Sequence, residues 1–112
     1  MKKKLTLNKT WTEELRQYKW VSGQRGDVND LKTDWMDANG YGEEIQGACF
    51  FCQYDKEYDN DCDHCPGRLV DKQFLCTREE YYYIDYRKKF YRELLRLYGI
   101  RKKKLLQRRK SK

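Results

Sequence analysis

The chain is short of aliphatic side chains: Leu, Ile, Val and Phe together make 21 of its 112 residues, a share usual in chains that do not fold alone. It holds one proline and one histidine, and no stretch approaching the roughly 20 apolar residues of a membrane span. Each shortage excludes something. With His64 alone, neither a paired-histidine nuclease centre nor a HExxH protease can be assembled, and a Ser or Cys nucleophile has no other histidine to serve as base. There is no glycine-rich phosphate loop. Met1-Lys2-Lys3-Lys4-Leu5 resembles the start of a signal peptide, but Asn8, Lys9, Glu13 and Glu14 leave it no apolar segment. The expectation is a non-enzymatic protein of a reducing cytoplasm, with no membrane partner and no small-molecule substrate.

Ten Tyr and three Trp partly replace the missing aliphatics, since aromatic rings bury large areas. A small domain with so thin a core still needs a staple. Five cysteines are present, an odd number, and thiols in a reducing compartment do not pair stably. Cys49-x-x-Cys52 and Cys62-x-x-Cys65 stand nine residues apart. Two such turns can close on one ion, and four thiolates suit tetrahedral zinc. A four-thiolate site has no open position, so the expected zinc, one per chain, is structural. The expected ligands are Cys49, Cys52, Cys62 and Cys65. Cys76, beside a candidate helix start where a thiolate is favoured, is the alternative; His64 is a further one, or else an exposed loop residue. A redox Cys-x-x-Cys belongs at a strand–helix junction, which this sequence does not offer. Asp55, Glu57 and Asp59 have calcium-loop spacing, but Asn60 and Pro66 occupy the positions that need Gly and Glu.

The remaining patterns are helical. Thr10-Trp11-Thr12-Glu13 reads as a capping box, and Trp11, Leu15 and Tyr18 share a face. Gly23 ends that helix. Asp27 caps a second, with Leu31 and Trp35 on one side and Asn39-Gly40 as its stop. The pair predicts an antiparallel hairpin. Tyr41–Gly47 connects it to the cysteine segment, where Cys65-Pro66-Gly67 suggests a tight turn and 69–75 a very short hairpin. Thr77-Arg78-Glu79-Glu80 resembles a second capping box, predicting an amphipathic helix to Leu97 or Tyr98, stopped by Gly99. Arg87 falls on its apolar half, as a snorkelling or carboxylate-paired arginine or, in the sharper reading, a functional one. The fold class expected is mostly α, with a small α+β arrangement left open: one zinc-stapled domain over 1–100, then a basic tail over 101–112.

The net charge of +7 resides in that tail, where Arg101, Lys102, Lys103, Lys104, Arg108, Arg109, Lys110 and Lys112 face no acid. The remaining 17 basic and 18 acidic residues leave the body at −1. The cysteine loop is acidic, with Asp55, Glu57, Asp59, Asp61 and Asp63 against Lys56.

"DLKTDWMDANGY", "CFFCQY", "CDHCPGRLV" with a later Cys, and "KFYRELL" together resemble a group of small cysteine-rich proteins of bacteriophages and prophages. The likeness covers about residues 10–100, and the C-x-x-C…C-x-x-C-P…C order is its most specific part. It implies zinc and a bacterial host cytoplasm, and Cys49, Cys52, Cys62, Cys65 and Cys76 match the group's cysteine positions. It assigns no catalytic residue.

Two binding functions follow. Lys88, Lys89, Arg92 and Arg96 on the last helix, with Arg101, Lys102, Lys103, Lys104, Arg108 and Arg109, fit a phosphate-tracking surface interleaved with tyrosines. Against it, tyrosines at helical spacing are commonly core and lysines commonly solvate an outer face. The alternative is an accessory factor or inhibitor that binds a host or phage protein, for which the acidic loop offers a surface that repels phosphate.

Overall fold

A computed structural model of the chain describes residues 6–41, 45, 49–57 and 65–110, with the backbone alone at 108–110. The expectations for Cys62, His64, Asp59, Asp61 and Asp63, and for the side chains of Arg108 and Arg109, lie outside the described residues.

The fold is mostly α: five helices, and no strand among the described residues. Helix α1 spans Leu7–Val21. Its N-cap is Thr6, whose hydroxyl oxygen accepts from the Lys9 amide at 3.0 Å. The cap expected at Thr10 is therefore corrected by one turn. Thr10 is buried inside the helix and donates its hydroxyl to the Thr6 carbonyl at 2.8 Å. Helix α2, Val28–Ala38, starts where expected, with the Asp27 carboxylate accepting from the Asn29 and Asp30 amides. It stops at Asn39, followed by Gly40 at φ 82°, a left-handed position suited to glycine. The end of α2 meets the middle of α1, where Arg16 donates to Asn39 and the Tyr41 hydroxyl donates to Glu13. The two helices thus form the antiparallel hairpin.

Helix α3 spans Phe50–Lys56 and α4 spans Pro66–Val70. Pro66 opens α4 at a position where its missing N–H costs nothing. The helix replaces the tight turn expected at 65–67 and takes up 69–70, and 71–75 is a turn rather than the second half of the expected hairpin. A single 3-10 turn follows at Glu79–Tyr81. Helix α5 runs Arg87–Lys110, about 36 Å at 1.5 Å per residue. It starts ten residues later than Thr77, and it passes through Gly99 into the basic tail.

Helix α1 is the central element, packed against α2, α3, α4 and α5. The main core is aromatic: Trp11 meets Phe51 at 4.9 Å between ring centres, Tyr18 meets Phe90 at 4.9 Å, and Leu94 and Leu97 close it from α5. Trp35, Met36, Ile45 and Phe50 form a second, smaller cluster. Only part of the apolar half expected on α5 is buried, since Leu95 and Tyr86 are exposed. Arg87 donates to the Gln24 and Gly26 carbonyls, tying the α1–α2 turn to the start of α5. Its role is structural, through carbonyls rather than a carboxylate. No helix among the described residues is long and apolar enough to cross a membrane.

Glu13 is buried within this hairpin yet charged. Burial pushes its carboxyl up, but hydrogen bonds from Arg16 and Tyr41 and the charges of Arg16 and Lys9 outweigh this and hold it below its ordinary value of 4.5. Stability from Glu13 is therefore full above pH 4.5 and is lost as pH falls through the depressed folded value. Glu13→Gln is expected to cost about 1–3 kcal/mol at pH 7. Urea denaturation of both proteins should show the gap closing in acid; a gap independent of pH would assign the loss to packing instead.

Candidate metal centre and cationic helix

Three chain segments deliver thiols to one cavity of about 230 Å³, and Cys49, Cys52, Cys65 and Cys76 all line it. Cys49 is the N-cap of α3, and its Sγ accepts from the Cys52 amide at 3.3 Å. Cys52 stands in the first turn of the same helix, on the exposed side. Cys65 is the N-cap of α4, so the second Cys-x-x-Cys also ends at a helix start. The amides of Gly67 and Arg68 favour the Cys65 thiolate electrostatically, without closing a cap hydrogen bond. Cys76 arrives from the segment before the 3-10 turn, and none of the four cysteines is in a disulfide.

The site therefore unites three of the four expected ligands with the alternative ligand, Cys76. Among the described residues no group of three or more Cys, His, Asp or Glu side chains stands in an arrangement that could hold a metal. The thiols share a wall rather than a closed cage. Their chemistry nevertheless fits a soft cation. Burial pushes the Cys65 thiol up to about 12. Contact with the Cys52 sulfur, then burial, pushes Cys49 well above its ordinary value. A coordinating divalent ion reverses that balance, since a bound thiol ionises outright. The amide hydrogens beside Cys49 and Cys65 are the kind of outer support that orients metal ligands.

Two charged residues in the cavity wall were not anticipated. Glu14 is 1% exposed and Lys32 is 3% exposed. Burial, and then the nearby Cys49 thiol, pushes the Glu14 carboxyl well up. One signal for both was available: each falls on the apolar face of its helix, Glu14 between Trp11 and Tyr18, and Lys32 between Val28 and Trp35. Of the acidic loop, Asp55 is buried in α3 and the Glu57 carboxylate accepts from the Gln53 side-chain Nε2 at 3.4 Å. Neither belongs to a fully solvated run.

Helix α5 sorts the basic residues. Arg96 is held by Glu93 at 2.6 Å and by Asp71 at 3.3 Å. Arg101 donates to Asn8, and Lys104 donates to the Val70 carbonyl at 3.3 Å. These three fasten α5 to the body. Lys88, Arg92 and Lys103 are exposed and make no ion pair among the described residues. At 100° per residue they fall within about 60° of one another on the outward side. Lys89 and Lys102 flank them, with their ammonium groups 4.9 Å and 4.8 Å from the ring centres of Tyr86 and Tyr98. Tyr81, Tyr83, Tyr91 and Tyr98 pack against the main core, so most tyrosines of this region are structural, and Tyr86 is the exposed one.

Compared with models of known protein families, with curated proteins and with solved structures, the chain matches none.

Proposed function

We propose that the chain is a small zinc-stapled binding protein that engages nucleic-acid phosphates along the outward face of α5. The observation that carries the reading is the division of labour on α5. Arg96, Arg101 and Lys104 are used in fastening the helix, while Lys88, Arg92 and Lys103 share its open side without an ion pair among the described residues. Zinc, held by Cys49, Cys52 and Cys65 with Cys62 or Cys76 as fourth ligand, supplies a cross-link between α3, α4 and the segment they enclose.

Fluorescence anisotropy with a DNA duplex, at several salt concentrations, tests the reading. If Lys88, Lys89, Arg92, Lys102 and Lys103 each meet a phosphate, log affinity falls against log salt with a slope of about −4 to −5. Truncation after Ile100 is expected to leave the fold intact, because Leu105 and Leu106 are exposed and the fastenings it removes, Arg101 to Asn8 and Lys104 to Val70, are exposed hydrogen bonds. The slope should then shrink to about −3 and the affinity should collapse. Equal binding and slope after truncation would show that the distal turns make no contact.

A second reading, a protein partner, is favoured by the exposure of Leu95, Leu105 and Leu106 on the same helix. Absence of nucleic-acid binding by either protein, with a partner retained in a pull-down from nuclease-treated lysate, would select it.

A further inference from the structure

Lys32 is the most costly residue of the thiol-lined cavity. It is 3% exposed and makes no ion pair among the described residues. Its ammonium stands 4.9 Å from the ring centre of Tyr83 and 5.8 Å from that of Tyr18. Aromatic faces attract a cation, but they do not replace a counter-ion for a buried charge. The carboxylate in the same wall is Glu14, which forms no ion pair with Lys32. One side of its carboxylate accepts from the Phe50 amide, and Oε1 has no partner. The rest of the wall is made of aromatic rings and the four thiols.

We infer that Lys32 is the counter-charge of the thiolate-bound zinc in this cavity, an inference that rests on the zinc reading. Zn2+ with four thiolates carries a net charge of −2. Phe51, Phe74 and Phe90 also line the cavity, and such walls solvate an anionic cage poorly. An ammonium fixed beside it offsets the excess charge as outer-shell partners do at other metal sites. Glu14 cannot serve in the same way, since an ionised carboxylate would have the sign of the cage. The two residues therefore carry different signatures: losing Lys32 weakens metal binding, while replacing Glu14 by Gln does not.

The test is a titration of the reduced full-length protein with Co2+, read by the sulfur-to-cobalt charge-transfer band, and by competition with Zn2+ against a chelator. Lys32→Met is expected to weaken metal affinity about ten- to a hundredfold, with Lys32→Arg close to wild type and Glu14→Gln no weaker than wild type. The Glu14→Gln/Lys32→Met double variant has no charge left in the wall, which guards against a folding failure of the single variant. It should still bind more weakly than Glu14→Gln by a similar factor. Wild-type affinity in Lys32→Met overturns the inference. So does a loss that disappears in the Glu14→Gln background, which would make Lys32 the partner of Glu14. A wild-type protein that shows no cobalt–thiolate band overturns the zinc reading itself, and the inference with it.

Discussion

Stripped of metal by a strong chelator in reducing buffer, the protein is expected to lose its cooperative unfolding transition. Structural zinc contributes on the order of 10 kcal/mol of apparent binding free energy, and a domain has only about 5–15 kcal/mol of net stability. The cysteine-bearing elements make the dependence acute. Helix α3 has seven residues and α4 has five, well under the roughly 12–15 at which an isolated helix becomes even marginal. They are held only by what they pack against and by the proposed cross-link. Native mass spectrometry should find one zinc per chain, lost on chelation. Among the cysteines, Cys76→Ser and Cys62→Ser separate the two candidate fourth ligands, since only one should release the metal. A chelated protein that melts at an unchanged temperature would show that the aromatic core suffices without a staple.

The parts of the fold legible in the sequence were those where local chemistry and packing agree. Asp27 caps α2 by accepting from the Asn29 and Asp30 amides, and Gly40 ends that helix because the chain needs a left-handed residue there. The misplaced boundaries share a different cause. Thr10 and Thr77 each precede a Glu by three residues, as a capping box requires. In the fold those carboxylates are taken: Glu13 by Arg16 and Tyr41, and Glu80 by Arg78 at 3.2 Å. The chain after Thr77 then turns rather than winding on. Tyr81 stacks against Phe74, and the Tyr83 amide donates to the Cys76 carbonyl. Gly99 failed as a stop because a glycine ends a helix only where the chain leaves it. Here Arg101 and Lys104 find partners on the body, and good helix formers follow.

For the candidate site, the spacing of the cysteines was readable and their surroundings were not. The Cys-x-x-Cys pairs announce convergence because two residues between thiols fix a short turn. Nothing in the order of the cysteines tells which side of the globule Cys76 reaches, since that depends on how the 71–86 connector packs against α5. Glu14 and Lys32 were visible only as charges on apolar faces, a pattern also produced by snorkelling side chains. Tertiary structure decides between the two, by placing both against the thiols rather than at the rim.

Trp11→Ala should be the most damaging single substitution outside the cysteines. Trp11 is 0% exposed, in the first half of α1, edge-on to Phe51 at 4.9 Å and tilted against Tyr98 at 5.9 Å between ring centres. Large-to-small changes of this kind cost about 3–5 kcal/mol, and at about 4–8 °C per kcal/mol in a domain of this size the melting temperature should fall on the order of 15–30 °C. Phe51 neighbours Cys52, so the cavity left behind opens directly beside the thiols. Trp11→Phe sets two effects against each other. It gives up ring volume, but it also removes the indole N–H, which is buried with no partner among the described residues and whose burial costs about 1–3 kcal/mol. The two nearly cancel, so Trp11→Phe should lie within about 1 kcal/mol of wild type while Trp11→Ala lies far below. Thermal melts of the three proteins at equal zinc loading decide it. If the Phe variant falls as far as the Ala variant, the indole N–H is contributing a bond that stabilises the core. If the Ala variant melts within a few degrees of wild type, α1 is not the element around which the fold is organised.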